Sequence, residues 1–319
     1  MTAHRPIGPL PAARYAYFGP RGTFTEAALR SLPMHADAEL LPYPSVPAAL
    51  ESVRAGDTAA AMVPIENSVE GGVPATLDEL ATGEPLVVTR EVLLPVRFAL
   101  MARPGMRLED VRSFGTFPHA EAQCRKWIAE NLPHATYQTA ASTAAAAEAI
   151  AGGTATYDAA LSAPIAATTY GLDVLVDGLG DNPHAVTRFV LVSRPVPPPL
   201  PTGADRTSIV LFIREDHPGA LLEILTELAV RGVNLTRIES RPTGAGLGRY
   251  LFSIDCEGHV DEAAVGEALM GLRRVCADTR YLGSYPRAEA SPAPASTSSD
   301  SVFREAQAWL ARVRERGNG

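Results

Sequence analysis

A proline-rich run at residues 195–201 limits the folds open to this chain more than any other feature. Proline fixes the backbone angle φ and has no backbone N–H, so neither a helix nor an inner strand continues through such a run. Proline-rich segments act as semi-rigid spacers between domains. A chain of 319 residues is also longer than one typical domain. The sequence therefore predicts separate domains before and after this run.

Before the proline run, short apolar segments alternate with segments that favour helices. Tyr15–Phe18 leads through a glycine turn to Thr23 and Glu26, which have the spacing of a helix capping box. Glu91–Met101 reads as one long strand that crosses to a second unit, where the pattern repeats. Such alternation predicts a parallel or mixed sheet with helices on both faces. Because the chain crosses once and later returns, we expect two lobes with a cleft between them.

After the proline run, the order of predicted elements changes to strand, helix, strand, strand, helix, strand. The segments are Thr207–Ile213, Asp216–Leu228, Asn234–Ser240, Arg249–Cys256, Asp261–Arg273 and Val275–Leu282. This βαββαβ order is typical of a ferredoxin-like domain. Beyond it, residues 287–301 are rich in Pro, Ala and Ser and are predicted to be disordered. Val302–Arg316 is predicted to be an amphipathic helix.

Charge and hydropathy exclude several classes of protein. The formal net charge is −8 and Lys and Arg are not clustered, which argues against nucleic acid as a partner. No run of about 18 apolar residues predicts a transmembrane helix. Residues 1–14 lack the apolar segment of a signal peptide and read as a disordered tail. We therefore expect a cytoplasmic protein that does not contact membranes.

The three cysteines, Cys124, Cys256 and Cys276, are far apart in the sequence. No pair has the spacing of metal ligands, and the histidines form no pattern with them. We expect reduced cysteines with a structural role.

Two polar segments lie where open α/β sheets place ligands, at the ends of predicted strands. Glu66, Asn67 and Ser68 leave one strand in a turn, and Thr187-Arg188-Phe189 enters another. Side chains alternate between the two faces of a strand, so we expect Thr187 and Phe189 on one face and Arg188 on the other. Arg188 has a second interpretation, as a structural ion pair that holds the lobes together, and Glu66 has one as a buried structural carboxylate.

Other polar side chains fall at turns and helix starts and could line the same cleft. They are Thr23, Thr116, Ser142, Thr143 and Gln123, the last on a helix predicted over Ala120–Glu130. Ser142 precedes an alanine-rich helix, and a serine there also acts as a helix N-cap with no further role.

Five motifs, in order and with consistent spacing over about residues 15–285, resemble the prephenate dehydratase family. They are Tyr17–Glu26, Val63–Glu70, Thr187–Phe189 and, after the proline run, Gly219–Leu222 and Glu239–Pro242. The last two resemble the paired phenylalanine-binding motifs of the ACT domain that regulates this family. Each motif alone is weak, whereas five together are specific.

The resemblance implies an α/β protein with a two-lobed, periplasmic-binding-protein-like catalytic domain and a ferredoxin-like βαββαβ ACT domain. We place the catalytic domain at 15–195, with lobe 1 at about 15–88 and 178–195 and lobe 2 at about 89–177. The linker is 196–206, the ACT domain is 207–286, and 287–319 is a flexible tail with a terminal helix.

The same resemblance implies a lyase that converts prephenate to phenylpyruvate, water and carbon dioxide in phenylalanine biosynthesis. It implies feedback regulation by phenylalanine at the ACT domain, and homodimers or homotetramers. It implies no metal ion and no organic cofactor.

The roles that the resemblance implies fall into three groups. For catalysis we expect Thr187, Arg188, Phe189, Glu66 and Asn67, with Thr187 delivering a proton to the leaving hydroxyl either directly or through Glu66. For substrate binding we expect Ser68, Thr116, Gln123, Ser142, Thr143 and Thr23. For phenylalanine binding we expect Gly219, Ala220, Leu221, Leu222, Asn234, Leu235, Glu239 and Ser240.

Two positions depart from the family pattern. A turn in the second lobe that usually reads Ser-His-Pro-Gln is here Thr116-Phe-Pro-His119. The histidine at its second position is absent, so it is not a necessary proton donor in this chain. Arg21 also stands in the first glycine turn, where an acidic or small residue is common.

Two other functions fit the sequence. One is arogenate dehydratase, whose substrate carries an amine on its side chain. The other is a non-catalytic amino-acid sensor, since two-lobed clefts also suit solute-binding proteins and ACT domains regulate many enzymes and transcription factors.

Overall fold

The computed structural model describes residues 13–243, 250–288 and 300–316. Most of the predicted N-terminal tail, residues 244–249 and most of the Pro/Ala/Ser-rich stretch lie outside these residues. The strands are β1 Arg14–Phe18, β2 Glu39–Tyr43, β3 Ala60–Asn67, β4 Gly71–Gly72, β5 Val87–Pro95, β6 Ala99–Ala102, β7 Ser113–Thr116, β8 Thr136–Thr139, β9 Ala159–Ser162, β10 Asp173–Asp177, β11 Val186–Ser193, β12 Asp205–Phe212, β13 Leu235–Pro242, β14 Tyr250–Glu257 and β15 Asp278–Pro286.

The helices are α1 Phe24–Arg30, α2 Val46–Ala55, α3 Pro74–Thr82, α4 Pro118–Gln123, α5 Arg125–Asn131, α6 Thr143–Ala151, α7 Pro164–Tyr170, α8 Ala220–Ala229, α9 Ala263–Val275 and α10 Asp300–Arg316, with 3₁₀ turns at Pro33–Asp37 and Leu108–Asp110. Among the described residues, no helix combines the length and the apolar character needed to span a bilayer.

The described residues form two compact units. One contains the chain up to Thr76 together with Val92–Val192, and the other contains Leu77–Glu91 together with the chain from Ser193 onward. The prediction had placed residues 77–88 in lobe 1, whereas in the structure they group with the C-terminal sheet.

The first sheet has the strand order β2-β1-β3-β11-β5, and β4 pairs with β3. Here β1 runs parallel to both β2 and β3. Its core includes Tyr15, Tyr17, Met62, Phe189 and Leu191. Although β11 comes late in the sequence, it lies inside the sheet, so the strand that carries Thr187 is adjacent to the strand that carries Asn67.

The second sheet has the order β10-β6-β9-β7-β8 and is mixed. β7 is parallel to β8 and β9, while β6 is antiparallel to β9 and β10. Phe98, Leu100, Phe114 and Leu161 are central in its core. The expectation of two lobes built on α/β sheets is confirmed.

Two predicted elements of this region are each broken in two. The strand predicted over Glu91–Met101 ends at Pro95, which has no N–H for the ladder, and a new strand begins at Ala99. The helix predicted over Ala120–Glu130 breaks at Cys124, whose φ of −120° and ψ of 12° are not helical. There the Asp181 carboxylate accepts hydrogen bonds from the backbone N–H groups of residues 126 and 127, which stabilises a second helix start.

The C-terminal sheet has the antiparallel order β13-β14-β12-β15, with α8 and α9 following β12 and β14. This order and connectivity confirm the ferredoxin-like prediction. Ile209 and Ile254 of the sheet pack with Ile224, Leu228 and Leu272 of the two helices. The predicted terminal helix is present as α10, which lies against α9.

The segment Leu77–Glu91 is held by arginines of the C-terminal sheet. Arg241 makes a two-point ion pair with Asp78, with nitrogen–oxygen distances of 3.0 and 2.7 Å. Arg206 pairs with the buried Glu91 at 2.5 Å, and Arg280 donates to the carbonyls of residues 80 and 83. These contacts explain why the segment groups with the C-terminal part of the chain.

The three cysteines are free and buried. Burial raises the pKa of the Cys124 and Cys256 thiols to about 12 and that of Cys276 to about 11. All three therefore remain protonated and poorly nucleophilic near neutral pH.

A buried polar network crosses the C-terminal sheet. Arg237 Nε donates to Asp255 Oδ2 at 2.8 Å, and a second guanidinium nitrogen donates to Ser253 Oγ at 2.8 Å. Ser208 Oγ donates to Asp255 Oδ1 at 2.6 Å and lies 2.6 Å from the Tyr285 hydroxyl. The charges of Arg237 and Asp255 are thus balanced inside the domain.

Replacing Asp255 with alanine should strongly destabilise the protein, because the buried Arg237 guanidinium loses its opposite charge. We expect a loss of about 3–5 kcal/mol in the free energy of unfolding, measured by urea denaturation followed by circular dichroism. Asp278→Ala, which removes an exposed ion pair with Arg273, is the matched control and should cost much less. Equal losses in the two variants would contradict a structural role for the buried network.

Candidate functional site

A cavity of about 340 Å³ lies in the first unit. Its wall is formed by strand ends and helix starts of both lobes. The polar side chains of the wall are Thr23, Thr25, Asn67, Glu70, His119, Gln123, Ser142, Thr143 and Thr187, and the aromatic ones are Phe18, Phe24, Phe98, Phe117 and Phe189. Phe24 and Phe98 pack edge to face with ring centroids 5.5 Å apart.

A hydrogen bond between neighbouring strands joins Asn67 to Thr187. Asn67 Nδ2 donates to Thr187 Oγ1 at 2.8 Å. Asn67 Oδ1 accepts from the backbone N–H groups of Val69 at 2.8 Å and Glu70 at 3.2 Å, so the side chain also shapes its own turn. Because the Thr187 oxygen accepts from the amide, its own proton is available to a ligand in the cavity.

Ser68 fixes the position of this turn against the start of β11. Its backbone N–H donates to the Val186 carbonyl at 2.9 Å, and its hydroxyl oxygen accepts from the Val186 N–H at 2.9 Å. Ser68 does not line the cavity. Its contacts support the geometry of Asn67 and Thr187, and they differ from the substrate contact that the sequence predicted.

Arg188 lies on the face of β11 opposite to Thr187 and Phe189, as strand alternation predicts. Its side chain is only 5% exposed, and its guanidinium lies 3.5 Å from the Glu66 carboxylate. Neither Arg188 nor Glu66 lines the cavity, whereas Phe189 does. This ion pair joins β11 to β3 within the first sheet, whereas the sequence had left open an ion pair between the lobes.

The predicted binding residues divide into those at the cavity and one that is not. Thr23, Gln123, Ser142 and Thr143 line it. The Thr23 and Ser142 hydroxyls also accept from backbone N–H groups as N-caps of α1 and α6. Thr116 is fully buried, and its hydroxyl donates to the Leu161 carbonyl at 2.7 Å. The hydroxyl therefore forms its hydrogen bond inside the lobe and is not exposed to the cavity. This corrects the expectation that Thr116 binds substrate.

Several residues of the cavity wall were missed as site residues, and two of them, His119 and Glu70, are ionisable. His119 Nδ1 lies 2.5 Å from Glu70 Oε2, and Gln123 Nε2 donates to Glu70 Oε1 at 3.0 Å. Both residues belong to quoted motifs, Glu70 at the end of one and His119 at the end of the unusual turn. The signal that could have found them is a histidine and a carboxylate in turns that were already expected to face the cleft.

Charged groups are scarce on this wall. Among the described residues that line the cavity, Glu70 is a carboxylate and His119 an imidazole, and there is no Lys or Arg. Across the same described ranges, no cluster of three His, Cys, Asp or Glu side chains could hold a metal ion. The wall therefore offers hydroxyl and amide donors beside aromatic surface.

The predicted phenylalanine-binding residues lie at the start of α8 and along β13. Gly219 precedes α8 with φ +95° and has open space where a Cβ would stand. Ala220 is buried and Leu222 is 67% exposed. Asn234 Nδ2 donates to Glu257 at 3.1 Å. A nearby cavity of about 190 Å³ includes Ala220 but none of the other predicted effector residues.

Comparison with known proteins identifies the class that this fold and cavity define. A family model described as "Prephenate dehydratase" matches residues 15–197, and a model described as "ACT domain" matches residues 208–274. The chain belongs to the prephenate dehydratase family. It is therefore an enzyme of the lyase class, which confirms the resemblance stated from its motifs.

Individual relatives match over nearly the whole chain. The prephenate dehydratase of Mycobacterium tuberculosis H37Rv is 50% identical over 309 residues, 94% of each protein. That of Mycobacterium marinum is 48% identical over 314 residues, 95% of this chain and 96% of the relative. The crystal structure of the Arthrobacter aurescens prephenate dehydratase in complex with L-Phe is 54% identical, with a TM-score of 0.89, and the match covers 95% of this chain and 99% of that one.

The two functions of Asn67, shaping the turn and donating to Thr187, can be separated by mutation. Asn67→Asp keeps an oxygen for the N–H groups of Val69 and Glu70, whereas Asn67→Ala removes it. We expect Asn67→Ala to lower stability by about 1–2 kcal/mol and Asn67→Asp to lower it much less, measured by thermal unfolding. Equal Tm values for the two variants would show that the turn does not depend on this oxygen.

Proposed function

We propose that the cavity of the first unit is the site at which this enzyme converts prephenate to phenylpyruvate, water and carbon dioxide in phenylalanine biosynthesis. The observation that carries the proposal is the hydrogen bond from Asn67 to Thr187 on the cavity wall, beside Phe189. The relatives that bear the name prephenate dehydratase and match over nearly the full chain support it.

The reaction requires few contributions from the protein. Prephenate carries two carboxylates and a hydroxyl on a ring that becomes aromatic when the hydroxyl and carbon dioxide leave. The enzyme has to hold the dianion in one orientation and give a proton to the departing hydroxyl. Positioning and preorganised donors can supply most of the acceleration in such a reaction.

Thr187 is the donor best placed for the leaving hydroxyl. Asn67 donates to the Thr187 oxygen, which directs the Thr187 proton away from Asn67 and makes the hydroxyl a better donor. Transfer through Glu66 receives less support, because Glu66 does not line the cavity and faces Arg188. In this proposal Arg188 and Glu66 hold β11 and β3 together, so they act on the reaction through Thr187 and Asn67.

The remaining wall residues position the substrate. Gln123, Ser142, Thr143 and Thr23 offer neutral polar groups to the carboxylates. Phe189 and the pair of Phe24 and Phe98 offer ring surface to the substrate ring.

Arogenate dehydratase and the amino-acid sensor remain as alternative functions, and one turnover assay separates all three. The names of the relatives favour prephenate. Purified protein should turn over prephenate with a kcat/KM at least about tenfold above that for arogenate, which is a difference of about 1.4 kcal/mol in transition-state binding. Turnover of neither compound would favour the sensor.

Thr187→Ala should lower kcat for prephenate by at least about a hundredfold, or about 2.7 kcal/mol, with a smaller change in KM. The reason is that the variant loses the proton donor, while the groups that bind the carboxylates remain. Thr187→Ser keeps the hydroxyl and should retain most of the activity. Thr168→Ala, an exposed threonine on α7, is the control. A kcat within about threefold of wild type for Thr187→Ala would exclude the role proposed for this hydroxyl.

We further propose that phenylalanine inhibits the enzyme by binding at the start of α8 and on β13. The A. aurescens relative was solved with L-Phe, which supports phenylalanine as a ligand of this chain. Gly219 provides open backbone at the helix start, and Ser240 and Asn234 are exposed polar groups. Inhibition requires that phenylalanine bind two conformations of the enzyme with different affinities.

The proposed assembly is a homodimer or homotetramer formed partly through this domain. Three large apolar side chains of this domain are exposed: Leu222 on α8, Val230 at the end of α8 and Met270 on α9. Such surface often marks an interface. Light scattering on the purified protein gives the number of copies directly.

We also propose a cytoplasmic location. The three free cysteines support it, since oxidising compartments favour disulfides.

Leu222→Asp should raise the phenylalanine concentration for half-maximal inhibition by at least about tenfold, equivalent to about 1.4 kcal/mol. The added carboxylate repels the carboxylate of phenylalanine and removes an apolar contact for its ring. Val174→Asp, at an exposed position of β10 in the first unit, is the matched control. Equal shifts in the two variants would move the effector site away from the start of α8.

A further inference from the structure

His119 and Glu70 form a pair at the cavity wall to which no role has been given. His119 lies on the first turn of α4, and Glu70 lies in the turn between β3 and β4. The distance from His119 Nδ1 to Glu70 Oε2 is 2.5 Å, and the other Glu70 oxygen accepts from Gln123. The Glu70 N–H donates to Asn67 Oδ1. The pair is therefore tied to the turn that positions Asn67.

The charge of this pair matters because the proposed substrate is a dianion. No Lys or Arg is present among the described residues of the wall. A lone carboxylate there would repel the carboxylates of the substrate. Contact with His119 and Gln123 offsets the charge of Glu70. The pair therefore reduces the repulsion between Glu70 and the carboxylates of the substrate.

The geometry of the imidazole leaves one nitrogen for a ligand. A carboxylate oxygen accepts, so the pairing with Glu70 assigns a proton to Nδ1 of His119. Among the described residues, none forms a hydrogen bond with Nε2. In carboxylate–histidine pairs the carboxylate fixes the ring orientation and stabilises the imidazolium. A protonated His119 can then present an Nε2–H and a positive charge to an anion.

We propose that His119, oriented by Glu70, binds one carboxylate of the substrate. This rests on the proposed function and adds the one cationic contact that the described wall can offer. It also gives a role to the unusual turn, which carries a histidine at its fourth position. His119 acts here in binding and holds no proton that moves in the reaction.

Among the described residues, His119 contacts Glu70 and Phe117. Glu70 comes from the turn between β3 and β4 and also accepts from Gln123 of α4. The Phe117 ring lies 5.3 Å from the imidazole, centroid to centroid. Glu121, on the same helix, is paired with Arg125. Glu70 is thus the charged partner on which the binding role of His119 depends.

The test is steady-state kinetics with prephenate for the wild type, His119→Ala, His119→Gln, Glu70→Gln and the double variant His119→Ala with Glu70→Gln. His119→Ala should raise KM by about tenfold or more, or about 1.4 kcal/mol, with kcat within about threefold. The double variant should have a lower KM than His119→Ala, because the unbalanced Glu70 charge is gone. His134→Ala, an exposed histidine outside the cavity wall, should leave KM unchanged.

The pH profile gives a second measurement that a purely structural role would not change. Raising the pH removes the positive charge of an imidazole, so KM for prephenate should rise with pH in the wild type and stay flat in His119→Gln. That variant keeps a neutral donor, so it also guards against misfolding of the alanine variant. Circular dichroism of each variant checks the fold.

The outcomes separate the two proposals. A KM within about twofold of wild type for both His119 variants, in an enzyme that turns over prephenate, overturns the role of His119 alone. A fall in kcat without a change in KM also overturns it, since that result assigns His119 to a chemical step. Absence of prephenate turnover in the wild type overturns the proposed function and this inference with it.

Discussion

The site depends on the pairing of β11 between β3 and β5. Asn67 and Thr187 are separated by 120 residues in the chain, yet Nδ2 and Oγ1 come within 2.8 Å because their strands are neighbours. Two hydrogen bonds between Ser68 and Val186 hold the same register. A slip of one residue would turn every side chain of β11 to the other face. Arg188 would then stand at the cavity wall in place of Thr187, so the chemistry rests on strand register.

The cavity offers an anion mainly neutral hydrogen-bond donors and few cationic groups. The chain has a formal net charge of −8, and the one arginine beside Thr187 is occupied by Glu66. Hydroxyl and amide groups held in place by the fold interact strongly with an anion where water is scarce. Such groups cost less to bury than a guanidinium without a partner. The pair of His119 and Glu70 adds charge only where solvent reaches it.

The sequence predicted what depends on local pattern. Period-two alternation placed Thr187 and Phe189 on one face and Arg188 on the other, and the βαββαβ order predicted the C-terminal sheet. Contacts between distant segments could not be predicted: Thr116 gives its hydroxyl to the Leu161 carbonyl, and Glu70 meets His119 across 49 residues. The helix break at Cys124 likewise depends on Asp181, which lies far along the chain. Whether a polar side chain faces a ligand or the interior is decided by tertiary packing.

The arginines that hold Leu77–Glu91 mean that the proline run separates the chain in sequence only. A truncated protein that stops at the run would lack Arg206, Arg241 and Arg280. Glu91 and Asp78 would lose their guanidinium partners, and the carbonyls of residues 80 and 83 would lose their donor. The first half of β5 would also lose its contact with β15, where Val88 lies against Gly283. Dissecting the enzyme at its most obvious linker would therefore damage the catalytic fragment that it was meant to isolate.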